Sequence, residues 1–251
     1  MKIVRYKKAG QTKTGILKGE QIKVVTGNIT GDYNINTHYD HLDEVELITP
    51  CQPGKIVCVG LNYRDHAQEL NMELPEEPII FLKPASAVTG PNSEIQYPDM
   101  AGQVDYEAEL AVVIKNKIKD ITPEQAKEHI LGYTCFNDVT ARDLQSKDGQ
   151  WTRAKSFDTF APLGPVIETE LEVDNLEVKL YKNGELQQDS TTRQMIFSIS
   201  KIVSFVSQIM TLYPEDVIAT GTPPGVGEMK AGDKVEVVIE EIGGLKNRLS
   251  I

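Results

Sequence analysis

Residues 105–114 read Asp105-Tyr106-Glu107-Ala108-Glu109-Leu110-Ala111-Val112-Val113-Ile114. The run alternates on its way in and then becomes wholly apolar, the pattern of a strand entering a core. Residues two apart on a strand share a face, so Glu107 and Glu109 project together at that entrance. Two adjacent like charges there are costly unless a cation neutralises them. Oxygen-only ligands suit a hard ion, Mg²⁺, Mn²⁺ or Ca²⁺, rather than zinc, which prefers cysteine and histidine. The plainer reading of the same run is an exposed edge strand with its carboxylates in water.

Outward from this stretch, strands dominate. Lys55-Ile56-Val57-Cys58-Val59-Gly60 and Pro78-Ile79-Ile80-Phe81-Leu82-Lys83-Pro84 are short apolar runs that suit buried strands. Thr122, Pro123 and Gln125 form an N-cap, a first-turn proline and a capping box, which opens a helix through His129. Apolar residues at three- and four-residue spacing predict a long helix over 194–211, stopped by Tyr213-Pro214. Lys234–Glu240 followed by Gly243-Gly244 reads as a strand entering a hairpin. Residues 1–50 read as a small β meander, and the proline-punctuated 48–54 marks a boundary before the main domain, 53–251. The fold class expected is α+β, mostly β, built on a barrel or sandwich with few helices.

The chain has 251 residues, with 26 Lys and Arg against 37 Asp and Glu, a formal charge of −11. No basic stripe is present to release counterions from nucleic acid, and a net-acidic chain does not adhere to anionic membrane by charge. No segment reaches the roughly 18 apolar residues of a membrane helix. The charged start, Met1 to Lys8, is not a signal peptide. Cys51, Cys58 and Cys135 are odd in number and form no Cys-x-x-Cys pair, so free thiols in a reducing cytoplasm are expected.

Further segments carry candidate chemistry. In Gly132–Gln145 a β-prone run ends at Asn137-Asp138 and the spacing turns helical. Asp138, Arg142 and Gln145 then share one helical face, offering a third carboxylate, a guanidinium and an amide to an oxygen-rich anion. A capping aspartate with an intrahelical Asp–Arg pair explains the first two alone. In Gly60–Leu70, His66 and Glu69 stand three apart, close enough for the carboxylate to orient an imidazole base, or for a surface ion pair. The polar, proline-bounded 71–78 suits a lid. Lys155 lies in the aromatic-flanked Trp151–Asp158 loop, where most lysines are merely solvated. Ala219–Gly227 lacks the Gly-Lys-Ser/Thr ending of a P-loop, but its N–H groups and Thr222 can hold a carboxylate. It is otherwise a tight structural turn. No Gly-x-Ser-x-Gly elbow is present.

Together and in this order, the segments closely resemble the fumarylacetoacetate hydrolase family, from about Pro53 to the C-terminus. The resemblance is carried by Gly60-Leu61-Asn62-Tyr63-Arg64-Asp65-His66, Asp105–Leu110, Asn137–Gln145, Ala154-Lys155-Ser156-Phe157-Asp158-Thr159 and Thr220–Gly227. It implies a mixed β-sandwich roll with a divalent cation, Mg²⁺ or Mn²⁺ (Ca²⁺ also fits), held by Glu107, Glu109 and Asp138. It implies His66 as base, assisted by Glu69 on a closing lid, with Lys155, Arg142 and Gln145 around the substrate's oxygens and Thr222 near its carboxylate. A homodimer and a small anionic keto-acid substrate are implied too. The short N-terminal region resembles that of the smaller bacterial-type members. Those include acylpyruvate hydrolases, oxaloacetate decarboxylases or tautomerases, and isomerase/decarboxylases acting on hydroxymuconate-type acids. The reaction expected is hydrolysis of a C–C bond in a 2,4-dioxo acid through a metal-stabilised enolate. Decarboxylation or tautomerisation at the same site is the alternative, and a non-catalytic keto-acid-binding protein is the reading from another class.

Overall fold

The computed structural model describes residues 1–250. The fold is α+β and mostly β, as the sequence predicts. A twelve-stranded sheet runs from Tyr33–His41 through Gln21–Gly27, Gln11–Lys18 and Lys2–Lys8 into Ala161–Glu168. It continues through Ile130–Asn137, Ala108–Ile114, Val217–Ala219 and Lys55–Gly60 to Ile79–Pro84. The N-terminal strands thus extend the central sheet, through Lys2–Glu168 and Ile3–Ile167 pairing. A five-stranded sheet, Glu185–Thr191, Glu177–Lys182, Lys234–Ile239, Gly243–Ser250 and Glu94–Gln96, packs against it. Ala108–Ile114 is buried along its whole length, so it is an interior strand rather than a solvated edge. Its apolar side chains serve both faces: Leu110, Val112 and Ile114 join one core cluster, Ala111 and Val113 the other.

The apolar run at 194–211 is only partly helical. The α-helix is Ile199–Ile209, begun by Ser198, whose hydroxyl accepts the Lys201 N–H at 3.3 Å. Met195 and Ile196 lie before it, outside the helix, where Met195 bridges to Tyr63 and the Ile196 N–H donates to the Asn62 carbonyl at 2.8 Å. The Ser198 cap therefore overrides the periodicity. The capping box at Thr122 and Gln125 forms, but the turn it opens, Pro123–His129, is 3₁₀ rather than α. All three cysteines are free and buried. No helix is long and apolar enough to cross a membrane among the described residues.

Candidate metal and catalytic site

Glu107 is not on the same strand as Glu109. It sits in the break between Val104–Tyr106, which belongs to a separate three-stranded sheet, and Ala108–Ile114. The Asn137 side chain bridges the break: its Oδ1 accepts the Glu107 N–H at 2.9 Å, and the Asp138 N–H donates to the Glu107 carbonyl at 2.8 Å. Asp138 likewise is not on a helix. It lies between Ile130–Asn137 and Thr140–Ala141, and the helix begins only at Arg142. Two chain kinks, rather than one strand face and one helix face, bring the three carboxylates together. The helical periodicity read from Asp138 onward fails because the Thr140–Ala141 bridge to Val104 and Asp105 holds the chain extended there.

The convergence itself is tight. Glu107, Glu109 and Asp138 are all buried, and each can place a carboxylate oxygen within 4.8 Å of the others. Buried Lys155, on a short helix Thr152–Lys155, donates from Nζ to Glu107 Oε2 at 2.9 Å and to Asp138 Oδ2 at 2.7 Å. Arg142 donates from Nε to Asp105 Oδ2 at 2.8 Å, from Nη2 to Glu107 Oε1 at 2.5 Å and from Nη1 to Gln145 Oε1 at 2.6 Å. Glu109 accepts the Gly221 N–H at 2.8 Å and no other hydrogen bond among the described residues.

Charge separates the carboxylates. Burial would push Glu107 up, but the Lys155 and Arg142 cations outweigh it and hold the group at about 2. Glu109 goes the other way: burial, then the Asp138 and Glu107 charges, drive it well above the ordinary range. A buried carboxylate in this state lacks a countercharge. The donor set is all oxygen and crowded with negative charge, so a hard divalent cation fits it.

Around the cluster lies a cavity of about 360 Å³, lined among others by His66, Gln145, Trp151 and Thr222. His66 is nearly buried on the short helix Arg64–Glu69 and faces Glu69, with Nδ1 to Oε2 at 2.8 Å. The other Glu69 oxygen accepts the Gly225 N–H at 3.1 Å, which ties the pair to the 219–227 loop. Thr222 Oγ1 accepts from Gln188 Nε2 at 2.9 Å. Eight of the nine residues singled out in the sequence therefore line this one cavity, and Glu69 reaches it through His66. Leu70, Met72, Ile79, Phe81 and Trp151 give the cavity an apolar side.

Sequence reasoning missed Lys83. This lysine is 0% exposed and donates to Asp138 Oδ1, to the Val139 carbonyl at 2.9 Å and to the Phe160 carbonyl at 2.6 Å. Burial pulls its ammonium below the usual range, and the Asp138 charge opposes that. Three acceptors require three N–H donors, so the geometry accommodates the charged form. The strand Ile79–Pro84 ends the sheet with Ile79 and Leu82 exposed, rather than buried as its apolar run suggests, so nothing around Lys83 in sequence pointed to its burial. Asp105, which anchors Arg142, was missed for want of a partner in sequence.

Residues 55–250 match the family model described as "Fumarylacetoacetate (FAA) hydrolase C-terminal", and residues 1–50 match "Rv2993c-like, N-terminal". An uncharacterized protein of Methanocaldococcus jannaschii is 54% identical over 229 residues, covering 91% of this chain and 94% of that one. A Xenopus laevis protein named mitochondrial oxaloacetate tautomerase is 44% identical, covering 84% of this chain and 70% of its own length. The crystal structure of a 5-carboxymethyl-2-hydroxymuconate delta-isomerase from Mycobacterium smegmatis superposes with a TM-score of 0.94 at 41% identity, covering 100% of this chain and 99% of that one.

Proposed function

The chain belongs to the fumarylacetoacetate hydrolase family, and on that premise we propose that it is a divalent-metal-dependent enzyme forming the enol or enolate of a small 2-oxo acid. The observation that carries this reading is one cavity shared by three buried carboxylates and a carboxylate-oriented histidine. Glu107, Glu109 and Asp138 would hold the ion. Once bound, a hard divalent cation supplies Lewis-acid polarisation of the substrate's 2-oxo group.

The chain's own residues do the rest. Glu69 accepts from His66 Nδ1, which fixes the ring and leaves Nε2 as the basic nitrogen. The Gly225 N–H keeps Glu69 in place. His66 then removes a proton from C3 of the keto form and returns it to the 2-oxygen to give the enol, and the reverse passes the enol proton to C3. The Lys155 ammonium supplies a positive charge where negative charge develops on oxygen. Thr222 and the loop N–H groups suit the substrate's carboxylate. Leu70, Met72 and Trp151 keep water from the reacting centre.

Proton transfer in an oxaloacetate- or hydroxymuconate-type acid is favoured as the reaction, because relatives above 40% identity carry tautomerase and isomerase names. The second reading is C–C hydrolysis of an acylpyruvate or fumarylpyruvate. The His66–Glu69 pair supports it, since the same base can take a proton from water. Water's oxygen then bonds to C4, the C3–C4 bond breaks, and its electron pair passes to the enolate of pyruvate.

A panel assay of the Mg²⁺-loaded protein separates the two. Oxaloacetate enol and keto forms, acetylpyruvate and fumarylpyruvate are each followed separately. Catalysed keto–enol equilibration without carbon release supports the first reading, and release of pyruvate from the acylpyruvates supports the second. No turnover of any of them, with oxalate still binding tightly, would leave a keto-acid-binding protein instead.

A further inference from the structure

We propose that Lys83 is a positioning residue that makes Asp138 a one-oxygen ligand and so biases the site towards small six-coordinate cations over Ca²⁺. The inference rests on the reading of Glu107, Glu109 and Asp138 as the metal ligands. Each of these carboxylates has one oxygen held by a donor other than Lys155. Glu107 Oε1 accepts from Arg142 Nη2 at 2.5 Å and from Thr140 Oγ1 at 3.1 Å. Glu109 Oε2 accepts the Gly221 N–H. Asp138 Oδ1 accepts from Lys83 Nζ. The other oxygens are Glu107 Oε2, Glu109 Oε1 and Asp138 Oδ2. Glu107 Oε2 and Asp138 Oδ2 converge on one point, because both accept from the same Lys155 nitrogen.

Lys83 is the firmest of these donors. Its other two N–H bonds go to backbone carbonyls on either side, at Val139 and Phe160, and its nitrogen lies 5.7 Å from the Phe136 ring centre. With no exposed surface it has no water to retreat to, so Oδ1 stays engaged. Ca²⁺ gains from carboxylates that bind through both oxygens and expand its shell to seven or eight ligands, whereas Mg²⁺ takes single oxygens and keeps its waters. Blocking Oδ1 therefore penalises Ca²⁺ selectively. Mg²⁺ and Ca²⁺ carry the same charge, so removing the Lys83 cation changes their attraction to the site alike. The ratio of the two affinities isolates the geometric effect.

The test is calorimetric titration of metal-stripped protein with Mg²⁺ and with Ca²⁺, in the parent, Lys83→Met and Lys83→Arg. Lys83→Met should shift the Mg²⁺/Ca²⁺ affinity ratio towards Ca²⁺ by roughly tenfold, the lower range for groups that orient ligands. Lys83→Arg, which keeps a donor at Oδ1, should retain most of the parent ratio. An unchanged ratio in a cooperatively melting Lys83→Met protein overturns the proposal while leaving the metal reading intact. Absence of divalent-ion binding in the parent overturns both. Should Lys83→Met fail to fold, metal-minus-stripped infrared difference spectra of parent protein labelled with ¹³C-carboxyl aspartate decide the matter. A wide separation of the labelled carboxylate stretches supports the one-oxygen mode with Mg²⁺, and a narrow, chelating separation overturns it.

Discussion

His66 Nδ1 lies 2.8 Å from Glu69 Oε2, and Glu69's other oxygen is held by the Gly225 N–H, so the imidazole and its carboxylate partner are locked to a loop 156 residues further along the chain. In the proposed role as base, an imidazole so held acts on the rate of proton removal more than on binding. His66→Ala should lower kcat by roughly 100- to 10,000-fold with little change in KM. Steady-state kinetics at saturating Mg²⁺ checks this. Glu69→Gln, which keeps shape but loses the charge that orients the ring, should fall between the parent and His66→Ala.

Arg142 gives all three of its described side-chain hydrogen bonds to protein groups, Asp105, Glu107 and Gln145. Its first role is structural, holding Glu107 at the strand break. Arg142→Met should cost roughly 3 kcal/mol in denaturant unfolding, the lower range for breaking a buried pair, because Lys155 still faces Glu107. Arg142→Lys should restore little, since an ammonium cannot reproduce the fork that reaches both carboxylates.

How much of this was legible in the sequence depends on the residue. The buried run Leu110–Ile114 announced its strand because an unbroken apolar stretch has few other fates, and the family motifs carried the residues that gather around the cavity. The local geometry of Glu107 and Asp138 was not legible. Each sits at a kink created by a distant partner, Asn137 for one and the Val104–Ala141 bridge for the other, and no periodicity encodes such a partner. The helix is shorter than the periodicity predicts because Met195 and Ile196 are apolar at helical spacing yet lie outside it, before the Ser198 cap. Lys83 was invisible for a related reason: a lysine usually signals surface, and only its three acceptors, from segments 55 to 77 residues away, explain its burial.

Asp40 is a stability switch in the N-terminal strands. Its buried carboxylate accepts from Tyr6 Oη at 2.8 Å, from Lys8 Nζ at 2.8 Å and from Lys13 Nζ at 3.2 Å. Burial would push it up, but these hydrogen bonds outweigh that and hold it well below the usual carboxylate range. A depressed native value stabilises the fold above the unfolded pKa, near 3.9, and the contribution is lost as pH falls below that towards the native value. Asp40→Asn should flatten the fall in melting temperature over that acid range. Asp40→Ala should cost about 1–3 kcal/mol at neutral pH, since Tyr6 is fully buried and its hydroxyl is left unpartnered.

Glu109 offers the cleanest test of the metal site. Glu107 and Asp138 are entangled with Lys155, Arg142 and Lys83, so their removal disturbs several ion pairs, whereas Glu109 accepts only the Gly221 N–H. Burial and its two carboxylate neighbours already push Glu109 towards protonation, so Glu109→Ala should leave the melting temperature near the parent's when metal is absent. Calorimetric titration of the metal-stripped parent with Mg²⁺ or Mn²⁺ should give one ion per chain, and the same titration of Glu109→Ala should give no measurable heat of binding. Binding by Glu109→Ala with the parent's affinity and stoichiometry would contradict the assignment of these three carboxylates as the metal centre.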